Sequence, residues 1–146
     1  MSLTREATID VPVRRAGRRE RWLAVLGPAV AALAVWLVAV PLAGVDLQVR
    51  TSGTTQDVGP VSVVASALLA AVAGLGCLAV LRRITKRPAH AWTIVASAVL
   101  VLSLAGPLGQ AVGTGVTVIL VAMHLAVAAV LIPLGRRLAG VAARQR

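Results

Sequence analysis

Apolar residues in this chain fall in long unbroken stretches. Trp22 to Val45 carries no charge between Arg21 and Asp46, and Val58 to Leu81 carries none between Asp57 and Arg82. From Ala91 to Gly135 there is no Asp, Glu, Lys or Arg over 45 residues, about 68 Å as a straight helix. The hydrocarbon core of a bilayer is about 30 Å thick and takes about 20 helical residues, so the third stretch predicts two crossings. Gly106, Pro107, Gly109, Gly113 and Gly115 cluster near its middle. Proline lacks an N–H and glycine costs about 1 kcal/mol inside a helix, so a tight hairpin is expected over 106–115. The predicted spans are about 22–45, 58–81, 91–110 and 114–135.

Backbone polar groups in lipid must be satisfied internally, which leaves helices or a closed barrel. Barrel strands need segments of about ten alternating residues, and none is present. The expected fold class is therefore all-α: a four-helix transmembrane bundle formed by 22–135, with a mobile basic N-terminal tail over 1–21 and a second basic tail over 136–146. The first apolar stretch is 24 residues, longer than the roughly 7–15 of a signal peptide, and is read as a retained span.

Composition sharpens this picture. The chain is 58% hydrophobic and 14% charged, against about a quarter charged in a soluble domain. Arginine outnumbers lysine fourteen to one, and the net charge is +10. With four spans, the two tails and the 82–90 loop share one side and hold fourteen of the fifteen basic residues; Arg50 alone lies opposite. The positive-inside rule makes that side cytoplasmic, in the plasma membrane. The basic residues border apolar spans, so anionic lipid headgroups, rather than nucleic acid, are the expected partner, with Arg18, Arg19, Arg21, Arg82, Arg83, Arg136 and Arg137 as the contacts. Trp22 and Trp92 are expected at the same interface, where indole rings prefer to lie.

Small residues let helices approach in lipid. They predict a packing ridge of Ser62, Ser66, Ala70 and Gly74 on the second span. Thr117, Val121, His124 and Ala128 share a face of the fourth, Thr93 and Ser97 one of the third, and Pro28, Ala32 and Trp36 one of the first. Pro41 is expected to bend or end the first helix.

Candidate chemistry is sparse. His124 and the Cys77 thiol are the only ionisable side chains inside a span. His124 lies ten residues after Thr114, about 15 Å deep, and an intramembrane ionisable group is a functional candidate by default. It is read as a proton-relay or ligand contact, or as a neutral ring bonding a neighbouring helix, with Trp36 and Ser66 as the partners nearest in depth. Cys77 is expected to act as a small apolar residue, and Asp46, Arg50 and Asp57 as solvated loop charges. No nucleotide, metal, cofactor or nucleophile motif occurs, so no cofactor, no metal and no enzymatic activity are expected.

Ala34-Val-Trp-Leu-Val-Ala-Val-Pro-Leu-Ala-Gly-Val-Asp-Leu-Gln-Val-Arg50, Leu102-Ser-Leu-Ala-Gly-Pro107 and Met123-His-Leu-Ala-Val-Ala-Ala-Val-Leu-Ile-Pro133 resemble motifs of a family of small actinobacterial membrane proteins known only as a domain of unknown function. The resemblance spans nearly all of 22–135 and implies four spans and no assigned activity. The expected role is a non-enzymatic structural or accessory subunit, in a homo-oligomer or with another membrane protein. The alternative is a small transporter or channel component using His124.

Overall fold

Helix α1 (Arg18–Leu37) starts one turn ahead of the apolar stretch and runs through Pro28. The computed structural model describes residues 18–143, with side-chain environments to residue 140. The tail before Arg18, with Arg5, Arg14 and Arg15, and the last three residues, with Arg144 and Arg146, lie outside the described residues. Near the far end of α1, Pro41 cannot donate to the Leu37 carbonyl. The backbone widens there into a π turn over Val38–Leu42, closed by Ala43 N–H to the Val38 carbonyl at 3.0 Å.

The chain then forms a hairpin absent from the sequence-based expectation. Strands β1 (Gln48–Thr51) and β2 (Thr54–Asp57) pair antiparallel, with Thr51 opposite Thr54. Ser52 and Gly53 have φ of 51° and 84°, the left-handed pair that a two-residue hairpin turn requires. Helix α2 (Pro60–Ile84) returns across the bundle, and after a three-residue loop α3 (Pro88–Ser103) crosses again. A break at Leu104 separates α3 from α4 (Ala105–Gln110), which completes the third span. The glycine–proline cluster divides between a helix start and the turn that follows it. Pro107 sits in the first turn of α4, where its missing N–H disrupts least, so helix persists to Gln110. The reversal is confined to 111–113, with Gly113 at φ 97°. Helix α5 (Thr114–Ala143) is the longest.

Among the described residues, four helical segments are long and apolar enough to cross a membrane: Arg18–Leu42, Pro60–Ile84, Pro88–Gln110 and Thr114–Gly140. The molecule is an all-α four-helix bundle, with the small hairpin covering one end. Helix α5 packs against both α1 and α3, and α2 lies mainly against α1. Two apolar clusters fill the interior. At the hairpin end, Ala29, Ala32, Ala39, Leu47, Val63, Ala67, Val116, Leu120 and Met123 meet. At the opposite end, Ala24, Leu78, Trp92, Leu138 and Ala139 meet.

The rotational setting of two helices differs from the expected one. On α2 the buried stripe is Val63, Ala67, Ala71 and Leu78, while Ser62, Ser66 and Ala70 are exposed and only Gly74 of the expected ridge reaches a neighbour. Val63, Ala67 and Ala71 are one position on from Ser62, Ser66 and Ala70, a turn of about 100°. The two serine hydroxyls bond back to the carbonyls of Gly59 and Ser62, so they need no helical partner. On α5 the buried stripe is Val116, Leu120 and Met123, and Thr117, Val121, His124 and Ala128 flank it half-buried. On α3, Ser97 is exposed and Trp92 is the buried residue. On α1, Pro28 and Ala32 are buried as expected, and Trp36 packs against the cluster that holds Ala32.

Candidate functional site

His124 does not bond a neighbouring span. Its Nδ1 lies 2.7 Å from the carbonyl oxygen of Leu120, one turn earlier on its own helix. A carbonyl only accepts, so Nδ1 carries the proton, and in the neutral ring Nε2 keeps its lone pair. The cross-helix bond to Trp36 or Ser66 is therefore replaced by an intrahelical one. The reason is local: a carbonyl four residues back is always within reach on a helix, whatever its neighbours.

Trp36 bonds elsewhere. Its Nε1 donates to the Val58 carbonyl at 2.8 Å. Val58 precedes Gly59, the residue capping α2, so its carbonyl lies ahead of the helix. Val58 N–H in turn donates to the Leu47 carbonyl at 2.8 Å. Trp36 thus fastens the C-terminal end of α1 to the junction of hairpin and α2. On the other flank of the hairpin, Val112 N–H donates to the Gln48 carbonyl at 3.1 Å, and Val49 pairs with Ala111. The hairpin is laced to both neighbouring turns. Asp46, Arg50 and Asp57 are exposed upon it.

The hairpin was legible in retrospect. Val45, Leu47 and Val49 alternate with Asp46, Gln48 and Arg50 ahead of Ser52–Gly53, a short strand-and-turn signal overshadowed by the much longer apolar runs.

Trp92 is the most buried of the three tryptophans. Trp22 is exposed, but Trp92 is only 2% exposed and seated between helices. Its Nε1 donates to the Ile132 carbonyl of α5 at 3.1 Å. Its ring covers Gly135, where an added Cβ would collide with Cε2 and Nε1. A Cβ at Gly74 of α2 would lie 3.2 Å from the same ring and 3.3 Å from Leu131. Two glycines on different helices thus form the notch that accepts one indole. Cys77 is a free, half-buried thiol packed against this cluster.

Of the sequence-predicted cations, Arg18, Arg19, Arg21, Arg83, Arg136 and Arg137 are exposed and Arg82 is half-buried. They lie on the first turns of α1 and the last turns of α2 and α5. The cluster of Ala24, Leu78, Trp92 and Leu138 gathers these helix ends together. Lys86 and Arg87 of the α2–α3 loop, absent from the expected contacts, are exposed at the same end. Among the described residues, the charges at the hairpin end are Arg50, Asp46 and Asp57. Among the described residues, no three His, Cys, Asp or Glu side chains gather closely enough to hold a metal ion.

Residues 12–141 match the model of a family of unknown function, DUF6069. The chain belongs to that family. No curated protein and no solved structure shows significant similarity to it.

Proposed function

We propose that this member of a family without an assigned activity is a non-enzymatic structural or accessory subunit of the plasma membrane, with both chain ends cytoplasmic. The predominance of arginine over lysine fits an actinobacterial source. The observation that carries the reading is how the spans spend their polar groups. The hydroxyls of Ser62, Ser66, Thr93, Ser103 and Thr117 each bond a carbonyl three or four residues earlier. His124 does the same, and both inter-element indole bonds end on backbone carbonyls. A conduction path needs polar groups aimed at a lumen, and these are committed to the scaffold. The outer surface is apolar, with Leu69, Leu102 and Leu108 each more than 70% exposed, which suits lipid or a partner's spans.

Affinity capture of the full chain from membranes cross-linked before extraction tests the reading. A defined membrane protein, or a second copy of the chain, is expected in the cross-linked product. A chain that stays uncross-linked and produces a His124-dependent current or flux in proteoliposomes would replace it with the transporter reading.

A further inference from the structure

The contact between Trp92 and Gly135 has an electrostatic consequence. Arg136 and Arg137 directly follow Gly135, and Lys86, Arg87 and His90 lie within two helical turns before Trp92. The bond from Trp92 to the Ile132 carbonyl holds α3 and α5 together at this level. The start of α3 and the turn of α5 beyond Gly135 therefore run side by side. All five of these basic or titratable residues are exposed.

No carboxylate occurs between Arg82 and Gly140 to neutralise them. The one acidic residue described at this end, Glu20 of α1, has its Oε2 shut from solvent and without a partner among the described residues. Packing thus brings like charges together along one seam, where the apolar spans end. An anion settled at that level would have the basic residues of two chain segments to draw on, and Ile94, two residues past Trp92 on α3, is an exposed apolar side chain.

We propose that the α3–α5 seam is a binding site for the phosphate headgroup of an anionic lipid, held by Arg87 and Lys86 from one wall and by Arg136 and Arg137 from the other. The inference rests on the membrane placement of the chain and not on its role as a subunit. Guanidinium groups match phosphate oxygens in bidentate geometry, and basic pockets between spans take acidic headgroups in this way. A lipid is the occupant because the seam opens at the end of the spans, where acyl chains can follow the exposed apolar flank of α3. This differs from a diffuse attraction of all basic residues to the membrane surface, which would treat every arginine at this end alike.

Native mass spectrometry of the purified full chain, released from micelles containing phosphatidylglycerol or phosphatidylcholine, reads the site directly. Phosphatidylglycerol should be retained and phosphatidylcholine not. Arg136→Gln with Arg137→Gln should lower retention on the order of tenfold, and Lys86→Gln with Arg87→Gln should do the same. Arg18→Gln with Arg19→Gln removes the same charge away from the seam and should change retention less than about twofold. Circular dichroism confirms that each variant is folded. Equal losses in all three pairs would overturn the seam in favour of surface attraction. Inorganic phosphate should leave thermal stability unchanged where phosphatidylglycerol raises it; an equal rise would make the site one for a soluble anion and overturn the lipid assignment.

Discussion

At Gly135 a missing side chain makes room for the whole face of an indole, so one methyl group decides whether α3 and α5 can meet. The ring is rigid and almost fully buried, and overpacking of such a site costs about 1–3 kcal/mol. Gly135→Ala should lower stability by that amount and weaken the Trp92–Ile132 bond, as read from unfolding in mixed micelles with Trp92 fluorescence as reporter. Gly76→Ala is the control: nothing lies within 4 Å of its Cβ position, and the change should be neutral or slightly stabilising. His124 obeys the opposite logic. Its described bond stays within one turn and fastens no helix to another, so His124→Ala should cost less than about 0.5 kcal/mol. A loss well above 1 kcal/mol in the same assay would mean that Nε2 has a partner holding helices together. The sequence marked both histidine and tryptophan as notable, but their partners depend on side-chain direction and on which face of a helix turns inward. Composition that is almost uniformly Ala, Val and Leu carries little information about either.

At the scale of elements, the four apolar helices were legible because span length and charge-free length are set by the same bilayer thickness. The reversal near Gly113 was legible from its glycines, and Pro107 within the same cluster sits in the first turn of α4, where it opens a helix instead of ending one. The rotation of α2 was hidden: Ser62, Ser66, Ala70 and Gly74 form one regular small-residue stripe, but Val63, Ala67 and Ala71 form another at the same spacing, and the second is the one buried. The hairpin is the element that the apolar runs concealed, and it depends on Trp36. Trp36→Phe keeps the bulk and removes the donor to the Val58 carbonyl. It should loosen the start of α2 and cost about 1 kcal/mol. Hydrogen exchange should show faster exchange at Val58 and Val63, whose N–H groups bond Leu47 and Gly59, while α3 and the lower half of α5 keep their protection. Uniformly unchanged protection would show that packing alone holds the junction.

For the whole molecule, the fold reduces orientation to a single question. Val49 pairs with Ala111 and Val112 bonds Gln48, which ties the α1–α2 connection and the α4–α5 turn to one end of the bundle. Ala24, Leu78, Trp92 and Leu138 tie the remaining helix ends to the other. Whichever side of the membrane receives one end receives all of it, so two labels decide the topology. The proposed direction follows from charge: Arg50 is the one described basic residue at the hairpin end, the other basic residues belong to the tails and the 82–90 loop, and the positive-inside rule would keep that side cytoplasmic. In a Cys77→Ala background, Ser52→Cys places a thiol on the exposed hairpin turn, and Thr85→Cys places one at the half-buried first position of the loop between α2 and α3. An impermeant maleimide added to intact cells should modify position 52 and leave 85 untouched until the membrane is permeabilised. Both sites lie outside the spans, so failure to react reflects the membrane and not burial, provided that permeabilised cells label both. The reverse pattern would invert the orientation while leaving the bundle intact. Labelling of both positions in sealed cells would mean that the two ends do not face opposite compartments, which no arrangement of these four helices across one bilayer permits.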